Sequence, residues 1–119
     1  MKNINNYLLL TRPLNVLISG LAMVVSAAIL NSLEETRILV LIVLIVMSYT
    51  AAANAINDVL DLEIDKINRP SRPIPSKNLK KRTALEFSFT LFLVGSILSL
   101  QLPPAAQFIS IVISMPLMI

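Results

Sequence analysis

The chain has 119 residues, of which 55% are hydrophobic and 14% are charged, and its mean hydropathy is strongly positive. A soluble domain of this size needs more charge to cover its surface, so the composition favours a membrane protein. Cysteine and histidine are absent, which excludes disulfides, thiolate or histidine-ligated metal sites and an imidazole base. The net charge of +3 is modest, and its distribution along the chain is more informative.

Four apolar segments follow one another along the chain. A bilayer core needs about 20 apolar residues in a helix, and the first two segments are apolar on every side, unlike an amphipathic surface helix. We therefore predict an all-α fold, a transmembrane helical bundle, whose first span is capped by Thr11 and begins at Pro13. No signal-peptide cleavage site follows this span, so it is retained. The predicted spans cover residues 13–30, 38–56 with helix continuing to about 66, 83–102, and 104–119.

Lysine and arginine are unevenly distributed among the links between spans. Lys2 and Arg12 precede the first span, only Arg37 lies in the next link, and the link between the third and fourth spans has none. Because basic residues are enriched in cytoplasmic loops, we predict a multi-pass protein of the cell membrane with its N-terminus and residues 57–82 in the cytoplasm. The basic residues of that loop are Lys66, Arg69, Arg72, Lys77, Lys80, Lys81 and Arg82.

Acidic side chains appear abruptly where the uncharged second segment ends. Carboxylates at a membrane boundary are costly unless they are paired, and they indicate a functional site. Asn57, Asp61 and Asp65 fall at i, i+4 and i+8 and stack on one helix face, where two like charges repel unless a cation lies between them. Since the candidate ligands are oxygens, we expect Mg²⁺, which proteins usually hold together with waters and substrate phosphates. Glu63 lies away from this face and is interpreted as solvated.

The basic loop that follows fits a phosphate or diphosphate ligand. Arg69 and Arg72 can bind phosphate oxygens with two nitrogens each, and Lys77 can add a point charge. Three prolines end the helix and stiffen the turn, which holds these cations near the metal. The alternative is a solvated loop with surface ion pairs. The prolines are Pro70, Pro73 and Pro75.

Several other residues have two open interpretations. Arg12 could contact the diphosphate or anchor the helix at the membrane interface. Asn15 and Asn54 could reach a substrate cavity, or they could serve packing and interhelical hydrogen bonding. Glu86 lies one turn after Arg82, which favours a surface ion pair.

The acidic motif and the loop resemble the UbiA family of intramembrane prenyltransferases. The first aspartate-rich motif of that family has the form N-D-x-x-D-x-x-x-D. Residues 65–76 and the opening residues 11–15 are also similar to the family, so the resemblance covers essentially the whole chain. The motif reads here Asn57-Asp58-Val59-Leu60-Asp61-Leu62-Glu63-Ile64-Asp65.

The resemblance implies a bundle of about nine transmembrane helices around a lipid-filled cavity and an Mg²⁺-dependent prenyl transfer. By matching position, Asn57, Asp58, Asp61 and Asp65 would hold the metal, with Asp61 and Asp65 as the catalytic pair. The donor would be a polyprenyl diphosphate, and Arg12, Arg69, Arg72 and Lys77 would bind its diphosphate. Family members carry a second aspartate-rich motif in later helices, which this sequence lacks. We therefore expect it to be an N-terminal fragment that is inactive alone.

The acceptor is predicted less directly. The start of the chain and residues 63–70 look most like the branch that makes archaeal ether lipids, which implies a geranylgeranyl transfer to geranylgeranylglyceryl phosphate. A quinone precursor, a chlorophyllide or another aromatic acceptor is the alternative within the family. A non-enzymatic cation-binding transport or assembly module and a soluble isoprenyl diphosphate synthase are the alternatives outside it. No nucleic-acid partner is expected.

Overall fold

A computed structural model describes residues 2–118, and the regular secondary structure of this part of the chain is all helical, with no strand. The all-α prediction is confirmed. A π-helical turn at Ile109–Ser114 separates the last two α-helices. The α-helices are α1 (Lys2–Thr11), α2 (Pro13–Ile29), α3 (Thr36–Leu60), α4 (Leu62–Asn68), α5 (Lys81–Ser99), α6 (Pro104–Phe108) and α7 (Met115–Met118).

The chain begins with a helix that the sequence analysis did not predict. This helix, α1, meets α2 at a bend of 51°, and the residue at the bend, Arg12, has a left-handed backbone conformation with φ of 54°. Pro13 begins α2 as predicted, since its fixed φ suits a first helical turn. The predicted cap is wrong, because the Thr11 hydroxyl donates to the carbonyl oxygen of Leu8 at 2.8 Å, inside α1.

The central element is α3, which packs against α1, α2 and α5. Its second half carries a run of small buried residues, Ala51–Ala53 and Ala55, and small residues let helix backbones approach closely. The Ser88 hydroxyl of α5 donates to the carbonyl oxygen of Ala52 at 2.7 Å and is fully buried there. The C-terminal half of α3 is therefore packed closely against α5.

The helix predicted to run to about residue 66 is broken at Asp61, which has φ of −88° and ψ of 11°. Aspartate is a weak helix former because its side chain competes for backbone hydrogen bonds. The amide of Asp61 nevertheless donates to the carbonyl of Asn57, and the amide of Asp65 donates to that of Asp61, each at 2.8 Å. The i, i+4 register of the motif therefore passes through the break.

Within residues 2–118, two helices, α3 and α5, are long and apolar enough to cross a membrane. The first predicted span corresponds to α2, which qualifies only when it is counted with α1 as one bent span. The last predicted span is a shorter apolar stretch, Pro104–Leu117, interrupted by the π-helical turn, and Ile119 lies outside the described residues. The exposed surface of α2 carries leucine, isoleucine and valine side chains, as expected for a helix that faces lipid or protein.

A tight contact between α3 and α5 gives a testable prediction. A Cβ on Gly95 would lie 2.5 Å from Cε1 of Tyr49, and the Tyr49 ring is almost fully buried. We expect Gly95→Ala to lower the free energy of unfolding by about 1–3 kcal/mol, as overpacked core substitutions do. Thermal unfolding in detergent measures this.

Gly20→Ala is the matched control, because its Cβ would meet the flexible end of Met47, with Sδ at 2.8 Å. That side chain can move, and alanine is the better helix former by about 1 kcal/mol. Equal tolerance of the two substitutions would show that Tyr49 does not pack on Gly95 as described.

Candidate functional site

The predicted site residues lie where three parts of the chain meet. These parts are the bend between α1 and α2, the end of α3 with α4, and the loop of residues 69–80. One hydrophobic cluster joins them, and all of its buried members are apolar side chains. The members are Leu10, Ala55, Val59, Ile74, Leu79 and Ala84.

The best-defined feature of the site is the side chain of Asp58, which is 2% exposed. Nη2 of Arg12 donates to its Oδ1 at 2.7 Å, and Nη2 of Arg72 donates to its Oδ2. Arg12 precedes Asp58 in the sequence and lies at the bend, whereas Arg72 follows Asp58 and lies in the loop. One buried carboxylate therefore ties both segments to α3.

The two arginines keep unused donors. Their side chains are 29% and 18% exposed for Arg12 and Arg72, and Nε of each is buried with no hydrogen-bond partner among the described residues. A guanidinium has five N–H donors in a fixed planar arrangement. Nη1 of each arginine has no hydrogen-bond partner among the described residues and is not buried, so each arginine can bind an additional acceptor there, such as a phosphate oxygen, while Nη2 remains on Asp58.

Asn54 holds the same bend one helical turn earlier. Its Nδ2 donates to the carbonyl oxygen of Thr11 at 2.8 Å, and the residue is 8% exposed. Asn54 and Asp58 are four residues apart on α3, so they share a face. The structure thus gives Asn54 an interhelical hydrogen bond, which was one of its two interpretations, whereas Asn15 is exposed on α2.

The loop after α4 is an ordered set of turns. Pro73 is buried, and its carbonyl accepts from the amide of Leu79 at 2.9 Å. The amide of Arg72 donates to the carbonyl of Arg69 at 3.1 Å, which fixes the two arginines relative to each other. Arg69 and Lys77 are exposed, and Lys77 has a left-handed φ of 63°.

Three predicted metal ligands are left without protein partners. No hydrogen bond or ion pair from any described residue reaches the side chains of Asn57, Asp61 or Asp65. Asp65 is only 6% exposed as a residue, but its carboxylate oxygens are not among the fully buried unpartnered atoms of the described chain, so they stay accessible to a cation. Asp61 caps the C-terminus of α3, where the helix dipole also favours a cation.

These residues fit a hard cation but do not complete its coordination. In the described part of the chain, no group of three or more acidic side chains converges on one point. Two carboxylates and an amide oxygen suit Mg²⁺, which commonly takes its other ligands from water and phosphate. Asn57, Asp61 and Asp65 are thus the candidate protein ligands, and Asp58 is already engaged by arginine.

Two further acidic residues form surface pairs, which was expected for Glu86, whereas Glu63 was expected to be solvated, with no partner predicted. Glu63 accepts from Nζ of Lys66 at 2.7 Å with its side chain 82% exposed. Glu86 accepts from Nε of Arg82 at 3.0 Å, and both side chains are exposed. Exposed pairs of this kind contribute little to stability, so neither residue belongs to the site.

The sequence analysis missed the double ion pair of Asp58. The available signal was the position of Asp58 about 100° round the helix from Asn57 and four residues after Asn54. The same rotation leaves Asp58 only about 20° from Asp65, so spacing alone does not separate Asp58 from the other carboxylates. Its arginine partners, 46 and 14 residues away, have no local pattern that identifies them.

Comparison with known proteins defines the class. The family model described as the UbiA prenyltransferase family matches residues 15–119. The chain therefore belongs to the UbiA prenyltransferase family, and the resemblance seen in its motif is confirmed.

Relatives in this family point to one branch. A digeranylgeranylglyceryl phosphate synthase of Thermococcus gammatolerans is 46% identical over 92 residues, which are 76% of this chain and 33% of that protein. A protein of the same name from Methanoregula boonei is 38% identical over 109 residues, covering 92% of this chain and 39% of that protein.

A solved structure described as digeranylgeranylglyceryl phosphate synthase in membranes is also similar. It superposes with a TM-score of 0.83 at 33% identity over 99% of this chain and 42% of that chain. The fold prediction of a UbiA-like helical bundle is thereby confirmed. The chain spans between a third and two fifths of the length of these two curated relatives.

Proposed function

We propose that the protein is an Mg²⁺-dependent intramembrane prenyltransferase of ether-lipid synthesis. It would move a geranylgeranyl group from its diphosphate to geranylgeranylglyceryl phosphate. The observation that carries the proposal is the pair of carboxylates, Asp61 and Asp65, that have no ion-pair partner in the described chain and stand in helical register with Asn57 at the end of a membrane-length helix. The names of the relatives support this acceptor over an aromatic one.

Asn57, Asp61 and Asp65 are the residues that would hold the metal. When bound, Mg²⁺ neutralises negative charge on the diphosphate as the bond to the prenyl group breaks. The two carboxylates are placed by backbone hydrogen bonds of 2.8 Å, so their spacing is fixed before any ligand arrives. Such pre-organised charge is where an enzyme gains most of its electrostatic effect.

The cations of the loop and the bend would bind the diphosphate oxygens. Arg69 and Lys77 are exposed and make no ion pair within residues 4–117. Arg12 and Arg72 keep free donors beside Asp58. Together they would place positive charge on the leaving group, which supports departure of the diphosphate.

The acceptor is tested by a radiolabelled transfer assay with the full-length protein in membranes. Mg²⁺ and geranylgeranyl diphosphate are supplied, and geranylgeranylglyceryl phosphate competes with a quinone precursor and a chlorophyllide. We expect transfer to the glyceryl phosphate. Transfer to an aromatic acceptor would keep the reaction class and overturn the ether-lipid assignment, whereas no transfer by a folded protein would overturn the enzymatic proposal.

The metal ligands are tested by Asp61→Asn and Asp65→Asn in the same assay. Each change removes one negative charge from the metal face at nearly constant shape, and we expect turnover to fall by about 100-fold or more. Chelation of Mg²⁺ should stop the wild-type reaction. Glu63→Gln, which removes an exposed charge from the same helix, is the control and should keep its activity. Near-normal rates in the aspartate variants would exclude the metal assignment.

The cytoplasmic location of the loop is tested by labelling a cysteine at Asn68. The chain has no cysteine, and Asn68 is exposed at the end of α4. An impermeant thiol reagent should label the variant in inverted vesicles or opened cells and leave it unlabelled in intact cells. Labelling from outside intact cells would reverse the proposed topology.

A further inference from the structure

We propose that Asp58 is a positioning residue and not a ligand of the metal. It holds the bend at Arg12 and the loop at Arg72 against the end of α3, one arginine on each carboxylate oxygen. The assignment of the metal to Asn57, Asp61 and Asp65 rests on the proposed function. The structural part of the inference, the anchoring of two segments by one carboxylate, does not depend on it.

The charges around Asp58 favour this role. One carboxylate between two guanidinium groups leaves a net positive charge, which repels a divalent cation. The pair to Arg12 is 2.7 Å long, so any metal on the same oxygen would lie within a few ångströms of a guanidinium. Asp61 and Asp65 have no such neighbour in the described chain. The dication is therefore attracted to them and not to Asp58.

The partners of Asn54 and Asp58 lead to the same conclusion. In helical register Asp58 lies only about 20° from Asp65, so what distinguishes the two aspartates is their partners and not their helix face. Asn54 precedes Asp58 by four residues, and its side chain is bonded to the bend at Thr11. Two residues one turn apart on α3 thus hold the same bend.

The bend between α1 and α2 needs stabilising contacts because the backbone of Arg12 has an unfavourable conformation. Arg12 has φ of 54°, a conformation that is uncommon outside glycine and persists only where the surroundings enforce it. The hydrogen bond from Asn54 to the Thr11 carbonyl and the ion pair to Asp58 act on both sides of that conformation. Without Asp58, the guanidinium of Arg12 would no longer be directed to the site.

The loop is anchored in an equivalent way. Arg72 is tied to Asp58 through its side chain and to Arg69 through its backbone amide, at 3.1 Å. Fixing Arg72 therefore also limits where Arg69 can lie. Because both arginines on Asp58 keep free N–H donors, the carboxylate orients them for an anion without using up their binding capacity.

Asp58→Asn in chelator-treated protein is the direct test, since this measurement needs neither metal nor activity. Loss of the buried charge leaves two arginines without their partner, and we expect the unfolding midpoint to fall by about 5 °C or more. Tryptic cleavage after Lys77, in the loop, should become several-fold faster. Glu63→Gln, the exposed-charge control, should change neither quantity, and Asp61→Asn should not lower the midpoint, because it removes a charge that is repelled by Asp65 in the metal-free protein. An unchanged midpoint and unchanged cleavage in Asp58→Asn would overturn the anchoring role.

The dependence of turnover on Mg²⁺ separates positioning from ligation. We expect Asp58→Asn to lower kcat while the Mg²⁺ concentration for half-maximal rate stays as in the wild type, whereas Asp61→Asn raises that concentration. A comparable rise in Asp58→Asn would show that Asp58 is a ligand and would overturn the proposal. If the reaction needs no Mg²⁺ at all, the proposed function fails, and the unfolding and proteolysis results still decide the anchoring role.

If Asp58→Asn does not fold, substitutions of the two arginines test the anchoring role instead. Arg12→Gln and Arg72→Gln each remove one of the two ion pairs and leave the other. Each should lower the midpoint of the metal-free protein, and Arg72→Lys should restore part of the loss because it keeps the charge. Absence of any loss in both glutamine variants would contradict the proposal.

Discussion

The arrangement of the site depends on a carboxylate that is buried at the end of an apolar helix. A buried charge is tolerated only when it is paired, and removal of one partner of such a pair costs about 3–5 kcal/mol. Asp58 meets this requirement with Arg12 and Arg72, which lie in segments that no regular backbone pairing connects to α3. The need to neutralise one side chain therefore determines where the bend and the loop can lie, and each arginine brings its remaining donors with it.

Asp65 shows the opposite solution to the same physical problem. It is nearly as buried as Asp58, and no described side chain pairs with it. Asp61 adds a second carboxylate at the C-terminus of α3, whose last turn has no basic residue, so the helix dipole and the carboxylates are both negative there. This arrangement is unfavourable without a cation and favourable with one. One aspartate of the motif is thus paired within the chain, whereas two others have no partner in the described chain.

Part of this organisation could be predicted from the sequence. Apolar length and charge placement indicated an all-helical membrane bundle, and the i, i+4 spacing of Asn57, Asp61 and Asp65 survives in the backbone hydrogen bonds. The break at Asp61 was missed because the same spacing fits an unbroken helix. The helix α1 was missed because its first residues are polar and do not show the apolar pattern of a packed helix, although Leu10 near its end is buried. The pairing of Arg12 with Asp58 joins residues 46 positions apart, and sequence spacing contains no information on such a contact.

The placement of Asn57 and Asp58 on one packed helix has a consequence for precision. Asn54, Asn57 and Asp58 lie within two turns of a helix whose neighbouring alanines are packed against α5, where Ser88 donates to Ala52. A displacement of α3 would move Asn57 and the arginine anchor together, whereas Asp65 lies on α4 and is linked to α3 by its backbone hydrogen bond to Asp61. Sites built on packed helices hold their geometry better than sites built on loops. Arg72 in the loop gains the same precision indirectly, because its anchor, Asp58, is part of that packed helix.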